Sequence, residues 1–258
     1  MAYKIFSRLL ILAAFCSVVG VVAMAADVQV PCIADNVFCG HSSEHNLNCG
    51  GRSLLRLKGY QGILGFKFDM SKVAGAKVDG GTFKVFCVRM SGTAKPPLTI
   101  NVKISTIGHD WVEGNGNYTE VKGASTYDYP SGPNGPLGKW ADRDYNGQGR
   151  HGLMINVEDA VNGNNGSILN SEFDVMTFDV GKWTNEIELR AELVQALVDG
   201  KAYGIALWQS DVSKNIDIAS KEEAGGAHAA VLIVHTSKLS VEPDGKLASM
   251  WGDLKDRR

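Results

Sequence analysis

Between positions 127 and 150 the chain sets Tyr127, Tyr129, Trp140 and Tyr145 among Lys139, Arg143 and Arg150. Flat aromatic faces pack on the C–H faces of sugar rings, and neighbouring polar groups bind hydroxyls. Arginine and lysine add partners for uronate carboxylates, arginine in bidentate geometry. This combination predicts a polysaccharide-binding surface, with an acidic polysaccharide as the favoured partner. The stretch is rich in glycine and reads as a long loop, where such residues are exposed. A second reading stands beside it. A loop this long needs some core of its own, and Trp140 and Tyr129 would then fold back to cap an open end of the domain.

Two further clusters carry oxygen ligands. Asp35, Asn36 and Asn48 share the first loop, and Asp110, Glu113, Asn115 and Asn117 share a later one. Calcium takes six to eight oxygens from carboxylates, amides and carbonyls. Asp35, Asn36 and Asn48 are the residues expected to hold a structural calcium, although neither cluster has the spacing of an EF-hand loop. Catalytic constellations are missing. The six histidines include no His-Glu-x-x-His pair, and no Gly-x-Ser-x-Gly elbow occurs. The expectation is a non-catalytic protein.

The chain has 258 residues, with 26 Lys+Arg against 28 Asp+Glu. That balance provides no basic stripe for nucleic acid. Lys4 and Arg8 precede an apolar run over 9–24, and Ala23-Met24-Ala25 is a small-x-small cleavage signal. Residues 1–25 read as a secretory signal peptide. No later stretch is apolar enough to span a membrane. The expected setting is secreted or at the cell surface.

Past the signal, four cysteines remain: Cys32, Cys39, Cys49 and Cys87. An even number in an oxidising compartment predicts two disulfides, with all three pairings open. Cys39, His41, His45 and Cys49 are the competing zinc reading, but their spacing matches no known finger.

Glycine is abundant, at 30 residues, and has no collagen period. That implies many tight turns between short strands. Leu64, Phe66 and Phe68 alternate with other residues over 62–69. Phe83, Val85 and Cys87 do the same, as do Leu98, Ile100, Val102 and Ile104. Over 172–179, Phe173, Val175 and Thr177 alternate with Asp174, Met176 and Phe178. Such alternation marks half-buried strands. The stretches 203–209 and 229–235 are continuous apolar runs, the pattern of strands buried on both faces. One helix is predicted within 185–200, from Leu189, Leu193, Ala196 and Leu197, closed by Gly200. The predicted fold is all-β, an antiparallel β-sandwich over 26–236 with one short helix, followed by a polar tail over 237–258.

The order of landmarks resembles the DNRLRE domain, grouped with carbohydrate-binding module family 96 and the disaggregatase-related repeats. Ala34-Asp35 and Asn48-Cys49-Gly50-Gly51 resemble its opening. Gly65-Phe66-Lys67-Phe68-Asp69-Met70-Ser71 resembles its Leu-x-Phe-Asp-Leu-Ser strand. Asp110-Trp111-Val112-Glu113 resembles its Trp-x-Glu landmark, and Ser220-Lys221-Glu222 its Ser-x-Glu finish. The likeness covers roughly residues 30–236. Cys49 stands where that family usually has Tyr, and Tyr127 where it has Trp. The resemblance implies a jelly-roll-like sandwich, an extracellular setting and glycan binding by some members. Two alternatives remain: a structural or adhesive surface protein with protein partners, and a jelly-roll polysaccharide lyase. Arg190-Ala191-Glu192-Leu193 matches a lyase motif only in part.

Overall fold

The computed structural model describes residues 26–137, Trp140 and residues 167–238. The segment 1–25, read as signal, and residues 239–258 of the expected tail lie outside the described residues, while Ser237 and Lys238, read as the start of that tail, end the last strand. Among the described residues, thirteen strands and one α-helix form three antiparallel sheets.

The first sheet runs β1 (Ala26–Val30), β13 (Val231–Lys238), β5 (Lys77–Lys84), β10 (Ile187–Leu189). The second runs β2 (Cys32–Phe38), β4 (Ile63–Phe68), β11 (Ile205–Trp208), β7 (Leu98–Thr106), β8 (Asp174–Phe178). The third runs β3 (Leu54–Leu57), β12 (Lys214–Ala219), β6 (Phe86–Gly92), β9 (Lys182–Trp183). β5 passes into β6 through Val85 alone, so the first and third sheets are two halves of one bent layer. The predicted single strand through Phe83, Val85 and Cys87 is thus split. At the break, Val85 N–H donates to Thr184 Oγ1 (3.2 Å) and Thr184 N–H to Val85 O (2.9 Å).

The core between the layers follows the period-two pattern. Leu64, Phe66 and Phe68 from β4 meet Phe83 from β5, with Val102 and Ile104 from β7 alongside. On β8 the inward residues are Met176 and Phe178, while Val175, and Phe173 just before the strand, face out at about half exposure. Each large side chain buried here contributes about 1.5–3 kcal/mol. The helix α1 (Ala191–Val198) closes the sandwich with Leu193, Val194 and Leu197 buried. Gln195 ties it to β5, accepting from Val78 N–H and donating to Ala76 O, both at 3.1 Å. The helix is shorter than its sequence pattern, because Leu189 belongs to β10, whose strand pairing with β5 takes precedence.

The second sheet is covered on both sides. Phe38, Ile63, Ala206 and Trp208 point away from the main core into a second cluster, with Trp111, Tyr127 and Trp140. This explains why β11 is buried throughout, as its apolar run predicts. β13 differs. Leu232 and Val234 are buried but Val231, Ile233 and His235 are only half-buried, so this strand is covered on one face.

The outer edge of β8 is not bare. The Asn185 side chain accepts from Thr177 N–H at 2.7 Å and donates to Val175 O at 3.0 Å. An edge strand otherwise presents such groups unpaired. Among the described residues no helix is long and apolar enough to cross a membrane.

Gly200 closes α1 with φ +67°. Its N–H bonds Leu197 O, and Lys201 N–H bonds Ala196 O, the reciprocal pair of a Schellman motif. A Cβ there would touch nothing within 4 Å. Gly200→Ala is therefore expected to lose about 1 kcal/mol through backbone strain alone, measured by urea denaturation.

Candidate functional site

Three loops meet at one end of the second sheet, and Asn48 holds them together. Its Nδ2 donates to Glu113 O (2.5 Å) and Ser125 O (2.8 Å). Its Oδ1 accepts from Gly116 N–H (2.7 Å) and Gly50 N–H (3.3 Å). Its backbone pairs with Thr119. The loops approach backbone to backbone. A Cβ at Gly50 would lie 2.2 Å from Glu113 O, and one at Gly116 2.6 Å from Asn48 O. Asn36 Nδ2 adds a bond to Ser125 Oγ at 2.9 Å. Asn48 is thus spent on the fold, while Asn36 Oδ1 and Asp35 Oδ1 are buried without a hydrogen-bond partner.

Asp35 belongs to a different set. Its carboxylate, with those of Glu113 and Glu222, forms a group whose oxygens lie within 4.8 Å of one another. Asp35 is wholly buried. Its Oδ2 accepts from Lys221 N–H at 2.7 Å, while its N–H donates to Glu113 Oε1 at 2.6 Å. Lys221 Nζ lies 3.2 Å from Glu113 Oε2 and also pairs with Glu222. Three carboxylates against one ammonium leave excess negative charge. Burial resolves it by pushing Asp35 up to about 8 and raising Glu113 as well. Partial burial opposes the charge on Lys221, but Glu222 and Glu113 hold it above its ordinary value. Calcium takes six to eight oxygens, and here the Lys221 ammonium already lies against Glu113 and Glu222. The other acidic loop residues disperse. Asp110 pairs with Lys67 (2.7 Å), and Asn117 accepts from Arg52 (3.1 Å).

The aromatic loop turns inward. Trp140 is 1% exposed and Tyr127 4% exposed. Phe38 meets Trp111 and Trp140 edge to face, with centroids at 5.6 and 5.4 Å. Trp140 Nε1 donates to Thr126 O (2.9 Å) and Trp111 Nε1 to Tyr203 O (3.0 Å). Tyr127 and Trp140 are thus the loop's own core, which corrects their expected role as exposed sugar platforms. Tyr129 is half-buried. Lys139, Arg143, Tyr145 and Arg150 lie outside the described residues.

The loop that these rings support presents a cleft instead. It encloses about 640 Å³ and is lined by Asn46, Glu120, Lys122, Pro133, Asn134 and Pro136, among others. Asn46 Oδ1 is buried without a hydrogen-bond partner. Glu120, Lys122 and Asn134 are exposed along the same cleft. Sequence reading missed these residues. The one signal for them was the density of Asn, Gly and Pro over 131–138.

Cys39 and Cys49 are buried with their sulfurs 3.9 Å apart. Cys32 and Cys87 lie on β2 and β6, strands of different sheets. The zinc reading fails. His41 Nδ1 bonds Ser43 Oγ (2.8 Å), and His45 Nδ1 bonds Asp128 Oδ2 (2.5 Å). No known protein-family model matches this chain, and no curated protein does.

Two outcomes follow from this geometry. Asn48→Ala removes four side-chain hydrogen bonds and leaves buried backbone groups unpaired. It is expected to cost about 2–4 kcal/mol, read by chemical denaturation. Asp35 binds its proton more tightly when folded than when unfolded. Its contribution to stability is full below pH 4 and is lost as pH rises toward 8. Carboxylates held below their ordinary values finish titrating under pH 4 and do not mask this. Stability is expected to fall between pH 5.5 and 8.5 by up to ~1 kcal/mol per pH unit, and Asp35→Asn to flatten the slope.

Proposed function

We propose that this chain is a non-catalytic carbohydrate-binding module that takes a polysaccharide in the cleft lined by Asn46, Lys122 and Asn134. The observation that carries the reading is the cleft itself, about 640 Å³ with Glu120, Lys122 and Asn134 exposed along it. Asn134 adds an amide, and Glu120 and Lys122 add one charge of each sign. Lys122 would pair with a uronate carboxylate if the glycan is acidic. Pro133 and Pro136 offer small apolar faces for the C–H side of a ring. The cleft's volume lies within the range of small-ligand sites, roughly 300–1,000 Å³. The resemblance to the DNRLRE domain and the signal-like segment over 1–25 point to the same activity, outside the cell or at its surface.

A structural or adhesive role without a specific glycan is the second reading. Val175, half exposed on the edge strand β8, with Phe173 just before it and Val180 just beyond it, favours that reading.

The test is retention on a panel of soluble and insoluble polysaccharides by affinity electrophoresis and pull-down. One glycan class is expected to be retained. Lys122→Ala and Asn134→Ala are each expected to weaken Kd by about 10-fold with unchanged Tm, the loss of one or two hydrogen bonds. Trp140→Ala is expected to act differently, destabilising the fold by about 3–5 kcal/mol. Retention unaffected by both cleft variants would overturn the site. A folded protein retained by no glycan would favour the adhesive reading.

A further inference from the structure

We infer that Cys39 and Cys49 form a disulfide and that Cys32 and Cys87 remain thiols. The two sulfurs are 3.9 Å apart, van der Waals contact for sulfur, and both side chains are wholly buried. They begin and end one short loop, between β2 and β3, so a bond between them closes that loop on itself. The loop's ends are already fixed from outside. Gly40 N–H donates to Tyr60 O at 3.0 Å, and Asn48 carries the interactions described above. Neither remaining cysteine competes. Cys32 donates to Ala34 O on β2, and Cys87 points toward Arg89 O on β6, in a different sheet.

The surroundings favour the chemistry. Arg56 Nη2 stands 3.6 Å from Cys39 Sγ. The hydrogen bond from Cys49 and the Arg56 charge hold the Cys39 thiol below its ordinary value, and the same pairing raises Cys49. Cys39 is therefore the attacking sulfur. Its thiolate attacks one sulfur of an external disulfide, such as oxidised glutathione or an oxidised protein dithiol. The other sulfur of that disulfide leaves as a thiolate, which takes up a proton. Cys49 loses its proton to solvent, and its sulfur attacks Cys39 Sγ in the mixed disulfide. The second external sulfur then leaves as a thiol. The protein loses two electrons, and the external disulfide becomes two thiols. Burial of both sulfurs means that this exchange belongs to folding, and that the finished bond is shielded from reductant.

The bond has a consequence for the cleft. The loop it closes contains Asn46, and the inference bears on binding only if the proposed function holds. The test is therefore read on the cysteines themselves. The chain from Ala26 on, without the signal-like segment and its Cys16, is refolded in a mixture of reduced and oxidised glutathione, denatured, alkylated and mapped by peptide mass. Cys32 and Cys87 are expected to carry the alkyl group, and Cys39 and Cys49 to appear as one linked peptide. Cys39→Ser with Cys49→Ser is expected to lower Tm by about 5–10 °C, the loss of a short closed loop. Cys32→Ser with Cys87→Ser should still give the linked peptide, and this holds even if the first pair of substitutions fails to fold. Alkylation of Cys39 and Cys49 after refolding, or a bridge that includes Cys32 or Cys87, would overturn the inference. Glycan retention is scored separately, so a linked peptide without retention counts against the function and not against the bond.

Discussion

The end of the molecule that carries chemistry rests on one amide. Asn48 offers two donors and one acceptor oxygen, and all are used on backbone groups of three loops. Those groups are buried, so each would be costly if left unpaired. The loops pair in strand fashion at the Asn48–Thr119 bridge, and elsewhere the Asn48 side chain does the joining. A side chain that presents donors on one branch and an acceptor on the other is a compact way to satisfy them all. Glu113 reaches Asp35, and Thr119 precedes the cleft residue Glu120, because Asn48 fixes the segment between them.

The buried carboxylates show the same economy under a different constraint. Asp35 sits where water cannot reach, beside Glu113 and close to Glu222. Continuum reasoning forbids three bare charges there. Lys221 neutralises part of the excess, through both its backbone N–H and its ammonium. A proton on Asp35 supplies the rest. The arrangement joins β2, the loop after Trp111 and the segment after β12, which are far apart in sequence.

Local pattern made much of the fold legible. The alternation of Leu64, Phe66 and Phe68 marked β4, and the run around Ile205 and Leu207 marked β11. Gly200 marked the helix end, because a positive φ is a local demand. Leu189 misled, since its helical spacing to Leu193 yielded to a strand pairing that no local period reports. The site was harder to see. Asp35, Glu113 and Glu222 each sat in a recognisable motif, but nothing in their spacing said that they meet. Tyr127 and Trp140 had the composition of a sugar platform. Composition does not say which way a loop's rings point, and a long loop needs rings beneath it. The cleft residues Lys122 and Asn134 are the polar remainder of that bargain, and they look like any turn.

Asn185 also has a consequence beyond its own loop. A sheet edge grows when another strand finds its open amides, and β8 has filled two of those positions with a side chain of its own. Many copies crowded together on a surface could not fuse through this edge into continuous sheets.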